Sequence, residues 1–464
     1  MLQVNQSDEF VVRLCEQVEQ ACGEMPDMGE MELCIERQVV SYQRAALQVL
    51  AQRRANAVEP ECPKCSKKLR VESHKRTREI STRFGDIPLV RTYGFCHACD
   101  QWVFPADNAL GLHPKAKSSP RIQEICALTA LRYPAVHARE DTRRLTGLEI
   151  HAGSIHREAH RQGERAILLR DAYAAATESS KGIAELASLA SPPQKPFTLV
   201  IEVDAWHIRE RDEWGQTEKL RNDGETITRW HWVYTATIFR LDQRGTTISG
   251  RPVIAERGYV ATRMGLEAFR KQLYAEALLR GLSEAETVLV LGDGAAWIWN
   301  IAKDRFKDAI HRVDLYHVNQ HLWTVANEMH GRGTQEAKEW VQPYIKWLTR
   351  RKNGSLDVIE SLKDLLENKV HLTSDRRECL EREIGNFDEH KGRMSYKQGK
   401  KDAQPLGSGA IESTCSQYQS RFKLRGQFWS LKGDEAFLAL ATLHRNGRWA
   451  TLFPHDREDL DMAA

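Results

Sequence analysis

The stretch Thr287–His321, TVLVLGDGAAWIWNIAKDRFKDAIHRVDLYHVNQH, constrains what this chain can fold into more than any other. An apolar run, Val288 to Leu291, stops at Gly292-Asp293-Gly294. A second run, Ala309 to Val313, is broken by His311 and Arg312 and stops at Asp314, with His317 and His321 after it. Short apolar runs bounded by glycine read as buried strands. A carboxylate at the C-terminal end of such a strand sits at the mouth of an α/β sheet, where ligands and metals bind. The stretch therefore predicts half of a metal-dependent site, and the other half has to come from elsewhere in the chain.

The 464 residues suffice for about two to four domains and a sizeable core. A formal net charge of +3 is too small to name a partner, but local charge says more. Lys64 to Arg91 holds nine Lys/Arg against three Asp/Glu, and Lys391 to Lys432 holds nine against two. Such patches suit phosphate contact, and equally suit a solvated basic loop. The opening MLQVNQSDEF is polar, and no apolar run reaches the roughly 18 residues of a membrane span, so a soluble, cytoplasmic chain is expected. In that compartment the ten cysteines, several in CxxC pairs, point to metal ligands rather than disulfides.

Taken in order, residues 1–57 show helical spacing and read as an N-terminal arm, for dimerisation, DNA-end contact or simple packing. Cys62-Pro-Lys-Cys65 and Cys96-His-Ala-Cys99 follow, about 30 residues apart. Each CxxC knuckle aims two thiolates at one point, and two knuckles complete a tetrahedron around Zn²⁺. With strand-like alternation and a Gly85-Asp86 turn between them, residues 58–112 read as a zinc ribbon with a structural site. Residues 113–195 read as three helices and a linker. Arg121–Leu131 and Pro134–Leu145 come first, then a turn at Gly147, then a helix capped by Ser154 that presents His156, Arg157, His160 and Arg161. Helix, glycine turn and basic helix fit a helix-turn-helix that would lay Arg157 and Arg161 in a DNA groove, and also fit an ordinary helical bundle.

From Phe197 the periodicity changes. FTLVIEV is a strand ending at Asp204, Trp232–Arg240 a second, and Arg251–Glu256 a candidate third; a helix over Thr262–Gly281 precedes the opening stretch. The order predicts a mixed α/β sheet across residues 196–321. Residues 322–403 are helical and charged. Residues 404–450 carry PLGSGAIES, where Ser408 can cap a helix with Ile411, Cys415, Tyr418 and Phe422 on its apolar face and Glu412 at the rim. Arg421, Lys423 and Arg425 end that helix and are candidate DNA contacts; residues 451–464 form a tail.

Asp204, Asp293 and Glu412 stand out among the 64 acidic residues because each adjoins a strand end or a glycine turn. Two-metal phosphoryl transfer needs carboxylates converging from separate elements on two Mg²⁺ or Mn²⁺ ions about 3.5–4 Å apart. Glu202 shares a strand face with Asp204 and could replace or assist it. His317 and His321 lie one helical turn apart beside Asp314, and could form a second metal cluster, orient Asp293, contact phosphate or pack. Trp297, Trp299 and Trp429 fit either base stacking or a core.

VDAW at Asp204, LGDGAAWI at Asp293, DLYH at Asp314 and His317, and PLGSGAIEST at Glu412 followed by RFKLRGQFWS together resemble the DDE transposases of bacterial insertion sequences, most narrowly the Kra-type group. The resemblance spans roughly residues 60 to 450. It implies an RNase H-like core with a helical insertion between the last strand and the Glu helix. It also implies Asp204, Asp293 and Glu412 as the metal-binding triad, with Asp314 and His317 as a supporting motif. The implied partners are double-stranded DNA, both terminal inverted repeats and target, held by a homodimer or higher oligomer in the nucleoid. The implied reaction is hydrolysis at the element's ends and attack of the freed 3′-OH on target DNA. A DNA-binding regulator without catalysis, and a nuclease that cuts without rejoining, are the alternatives.

Overall fold

The computed structural model describes residues 9–22, 27–114, 116–193, 195–211, 215–226, 228–250, 252–368 and 372–454. Of the tail expected at 451–464, residues 455–464 lie outside the described residues, as does Arg251. The chain divides into two units, Met1–Ala159 and His160–Ala464.

The first unit opens with helices α1 (Glu9–Cys22) and α2 (Met28–Asn56). Asp27 starts α2 through a reciprocal cap: its carboxylate accepts from the Glu30 amide at 2.9 Å, and Glu30 accepts from the Asp27 amide at 3.1 Å. Strands β1 (Arg70–Thr82) and β2 (Gly85–Cys96) form an antiparallel hairpin, and β3 (Gln101–Val103) adds a third strand. The turn is Arg83-Phe84; Gly85 and Asp86 already pair with Thr82 and Ser81, so the expected Gly-Asp turn sits two residues too late. Because β3 covers β2 only at Gly94–Cys96, the rest of that edge needs another partner. Gln52 of α2 supplies it, donating to the Val90 carbonyl and accepting from the Val90 amide, both at 2.9 Å. Helices α3 (Pro120–Arg132) and α4 (Ala135–Thr146) follow, and Gly147 closes α4 in the left-handed region at φ 69°. The next helix, α5 (Ala152–Ala176), starts two residues ahead of Ser154, which is therefore not its cap. Instead the His151 ring accepts from the Gly153 amide at 3.2 Å.

The second unit is built on a five-stranded mixed sheet. Its strands are β4 (Thr198–Glu210), β5 (Arg229–Arg240), β6 (Gly258–Thr262), β7 (Thr287–Gly292) and β8 (Ile310–Val313), in the order β8-β7-β4-β5-β6. The first three are antiparallel; β7 and β8 add in parallel on the other side of β4. The expected third strand at 251–256 is a correction. Pro252–Ile254 pairs with Arg244–Thr246 in a separate hairpin, and the sheet's third strand is Gly258–Thr262, inside what read as loop and helix start. A five-residue strand beside the helix's own apolar residues carries too little period to be separated from it.

Helices α6 (Gly265–Leu279) and α7 (Ala296–Arg305) cover one sheet face, where Leu199, Ile201, Val203, Val290, Phe269 and Trp299 form one core. That core continues into α8 (Leu315–His330), α9 (Gln335–Arg350), α10 (Gly354–Asn368) and α11 (Ser374–His390) through Val318, Leu322, Val341, Leu362, Leu380 and Phe387. The opposite face buries Val200, Phe239, Leu289 and Leu291 against Ala410 of α12 (Gly409–Phe422); α13 (Leu431–Arg445) follows. Burial on both faces explains why β7 reads as an unbroken apolar run.

Phe269 is fully buried and packs against the rings of both Tyr234 and Trp297. Phe269→Ala should destabilise the second unit by about 3–5 kcal/mol. Tryptophan fluorescence during urea unfolding reports on this unit, since every tryptophan but Trp102 lies in it.

Candidate functional site

Strands β4 and β7 pair from Thr198↔Thr287 to Glu202↔Leu291. Asp204 and Asp293 each stand two residues beyond that last couple, so the sheet delivers both carboxylates to the same end of one seam. β4 does not stop at Asp204, as the sequence suggests, but stays paired with β5 to Glu210. Asp204 is thus a mid-strand residue at the point where β4 loses its β7 neighbour, and the missing strand leaves space beside a polar side chain. Asp293 accepts from the Ala295 amide at 2.9 Å as the chain turns into α7. Gly294 makes that turn at φ 111°, and a Cβ there would meet His390 Nε2 at 3.2 Å.

Glu412 reaches this end from far along the chain, and three buried side chains bring it back. Arg312 of β8 donates to the Pro405 carbonyl and to Gln404 Oε1, both at 2.9 Å. Asp314, fully buried, accepts from the Ser408 amide at 3.0 Å and caps α8 by accepting from the amides of Tyr316 and His317. Glu202, 1% exposed, accepts from the Ile411 amide at 2.9 Å. The insertion's two ends also meet directly, Leu315 N–H donating to Leu406 O at 3.0 Å. Close packing requires Gly407, whose Cβ would meet Asp314 Oδ1 at 3.1 Å. Ser408 starts α12, but its side chain makes no backbone cap; its hydroxyl is 3.4 Å from Glu412 Oε1. Glu202, read as a substitute for Asp204, is therefore the acceptor at the N-terminus of the helix that carries Glu412, where partial positive charge favours a carboxylate.

The electrostatics fit an anionic site. Burial, reinforced by the Asp293 charge, raises the Asp204 carboxyl above its ordinary value. Burial likewise lifts Glu202 to about 7 against the pull of the Ile411 and Ala410 amides. Burial pushes Asp314 up too, but hydrogen bonds from His317, Tyr316 and Ser408 outweigh it and hold it low. His317, with Nδ1 2.7 Å from Asp314, is raised by that bond and by the charges of Asp314, Asp293 and Asp204. His321 Nδ1 makes a second such pair with buried Glu383 at 2.7 Å, a partner that nothing in the charged 322–403 stretch distinguished. Burial and the nearby Asp204 charge raise the thiol of Cys415, one helical turn past Glu412. Glu412 is exposed.

Among the described residues, one group of three or more His, Cys, Asp or Glu has all its ligand atoms within 4.8 Å of one another: Cys62, Cys65, Cys96 and Cys99. Two of the sulfur pairs lie 3.9 Å (Cys62–Cys99) and 3.5 Å (Cys65–Cys96) apart. Thiolates about 2.3 Å from a tetrahedral zinc lie roughly 3.8 Å apart, so this group could bind zinc. Four sulfurs around such an ion would leave no open position. Asp204, Asp293 and Glu412 do not close to 4.8 Å, and neither do Asp314, His317 and His321. Asp204 and Asp293 instead share one sheet end, and Glu412 is exposed on the first turn of α12.

Among the other sequence candidates, Arg157 is exposed and Arg161 half-buried on α5. Lys423 and Arg425 are exposed, whereas Arg421 turns inward over the rings of Trp429 and Phe437, and burial lowers it to about 10. Trp299 and Trp429 are core, their Nε1 donating at 3.0 Å to the Gly294 and Phe422 carbonyls, and Trp297 packs on Tyr234 and Phe269. Trp230 and Trp232, at the start of β5, do reach solvent, which strand alternation alone left unmarked. No helix among the described residues is long and apolar enough to cross a membrane.

Residues 266–451 match the model of an uncharacterised protein family, UPF0236. The matched span holds Asp293, Asp314, His317 and Glu412 and begins beyond Asp204 and the four cysteines. No curated protein matches the chain.

Metal analysis of the full chain should find about one zinc, and Cys62→Ser should lose it; zinc retained in that variant would rule out the four-cysteine site. A second expectation concerns Glu202. Its carboxyl lies near 7 in the folded chain and near about 4.3 when unfolded. A raised folded value means stability that is full below the unfolded value and lost as pH rises through the folded one. Glu202→Gln keeps a carbonyl acceptor for Ile411 and does not titrate. It should lose less stability than the parent between about pH 5 and 8 in urea unfolding; parallel losses would show that Glu202 does not carry the effect.

Proposed function

We propose that this chain is a DDE transposase with an RNase H-like core, cutting DNA at the ends of a mobile element and joining those ends to target DNA. The observation that carries the reading is the common placement of the three carboxylates. Asp204 and Asp293 stand in register two residues past the last β4–β7 couple, and Glu412 arrives at the same sheet end on α12, anchored by Glu202 and Asp314. The strand order supports the RNase H-like core: a three-stranded antiparallel meander, two parallel strands, then helices before the Glu-bearing helix.

The donor set suits hard divalent cations such as Mg²⁺ or Mn²⁺, which take oxygen ligands. Burial first, and then the neighbouring Asp293 charge, raise the Asp204 carboxyl, and a bound cation would relieve both penalties on its charged form. Asp204, Asp293 and Glu412 would hold two ions, which when bound supply activation of the attacking oxygen and stabilisation of the leaving oxygen. The chain's own residues do the rest. The β4–β7 seam fixes the spacing of the two aspartates. Asp314 and Glu202 hold the helix that presents Glu412. His317, whose charged form the bond to Asp314 favours, faces Asp204 and Asp293 and suits a phosphate oxygen. Exposed Lys423, Arg425 and Arg157 suit the DNA backbone, and synapsis of two ends calls for at least a dimer. This work on DNA would place the protein at the nucleoid.

The test is cleavage of DNA carrying the element's terminal repeats, with Mg²⁺ or Mn²⁺. Asp204→Asn, Asp293→Asn and Glu412→Gln should each lower the rate about a hundredfold or more, as expected when a transition-state charge contact is removed. Variants that all cut like the parent would overturn the assignment. Pre-cut ends offered with a target plasmid should give joined product; cleavage without joining would make the protein a nuclease instead.

A further inference from the structure

The far end of β4 and the start of β5 leave the five-stranded sheet. β7 pairs with β4 only as far as Glu202, and β6 pairs with β5 only from Tyr234. Beyond these points the two strands continue as a ribbon, Trp206↔Val233 through Glu210↔Arg229. The segment after α12 docks on its β4 edge: Trp429 N–H donates to Arg209 O at 3.2 Å, and Arg211 N–H to Trp429 O at 2.8 Å. Among the described residues no named strand covers the β5 edge.

This ribbon carries aromatic rings in solvent with cations set among them. Trp230 is 58% and Trp232 49% exposed. Trp232 pairs across the ribbon with His207, ring centroids 3.6 Å apart, and burial and the Lys423 charge hold His207 below its ordinary value. Trp230 pairs across with Arg209, whose guanidinium lies 5.6 Å from the indole centroid and 4.5 Å from that of Phe428. Lys423 Nζ is 5.9 Å from the Trp230 ring, and Arg211 lies 4.8 Å from Phe428. A buried core would not keep two indoles in water, and an apolar protein partner would not call for three cations between the rings.

We propose that this ribbon is a stacking platform for unpaired DNA. Bases lie on Trp230 and on the Trp232–His207 pair, while Arg209, Arg211 and Lys423 follow the phosphates. Residues two apart on a strand are about 6.8 Å apart, twice the ~3.4 Å step of a stacked nucleic-acid strand. Bases resting on both indoles are therefore separated from each other, which duplex stacking forbids. The platform begins three residues from Asp204 on the same strand, about 10 Å away. It would thus receive a strand opened next to the carboxylates. The identity of the partner rests on the function proposed above.

The experiment measures binding of the full, zinc-loaded chain to a labelled single-stranded oligonucleotide and to its duplex, at one fixed salt concentration without Mg²⁺. Trp230→Ala and Trp232→Ala should each weaken single-strand binding about tenfold and leave duplex binding within about twofold. Trp230→Phe and Trp232→Phe, which keep a ring, should recover most of the loss and so exclude misfolding as its cause. Unchanged single-strand affinity in the double alanine variant would overturn the platform, as would an equal loss on duplex. The two proposals fail separately. If the carboxylate variants cut like the parent while the tryptophan variants still lose single-strand binding, the catalytic reading falls and the platform stands.

Discussion

The buried carboxylates of Glu202 and Asp314 are the constraint on which the second unit's candidate site depends. Each gives up water and is repaid by backbone amides of one returning segment, Ile411 for Glu202 and Ser408 for Asp314. Losing either acceptor would strand a buried N–H and the helix start behind it. Arg312 adds a third anchor at Gln404 and Pro405. These side chains come from within β4, from β8 and from the residue that follows it, so the sheet's geometry is transmitted directly to the helix that carries Glu412. A network of this kind fixes position more than it adds stability.

Much of this was legible in the sequence where local period is strong. The runs at Phe197–Val203 and Val288–Leu291 marked β4 and β7, and the spacing of Cys62, Cys65, Cys96 and Cys99 marked a group that does converge. What failed failed for non-local reasons. Asp204 seemed to end its strand because apolar residues stop there, yet β5 carries the pairing on to Glu210. Gly258–Thr262 was hidden because its strand character comes from its neighbour β5. Glu202 was legible only as a neighbour of Asp204, and Glu383 not at all, since their partners are an amide and a histidine distant in the chain. Arg421 looked like a surface cation until its rings were known.

The two units reach order by different routes. In the first, a small apolar cluster sits behind a hairpin, and Gln52 mends an open strand edge with a side-chain amide. A ribbon of that size gains from a metal staple, which four converging sulfurs could provide. In the second, one apolar core runs from the sheet through α8–α11, so the helices between Asp314 and Glu412 are part of the sheet's own packing and not an appendage.

The bond from Ile411 to Glu202 joins residues 209 apart in the chain. Chains grow from the N-terminus, at about 5–20 residues per second. β4, β7 and β8 therefore leave the ribosome well before the helix that completes their carboxylate end. For that interval a nascent chain holds both aspartates without Glu412, and Glu202 without its amide partners. A chain truncated anywhere within the helical stretch would carry a half-built site. Assembly of the carboxylate end thus waits on synthesis of α12.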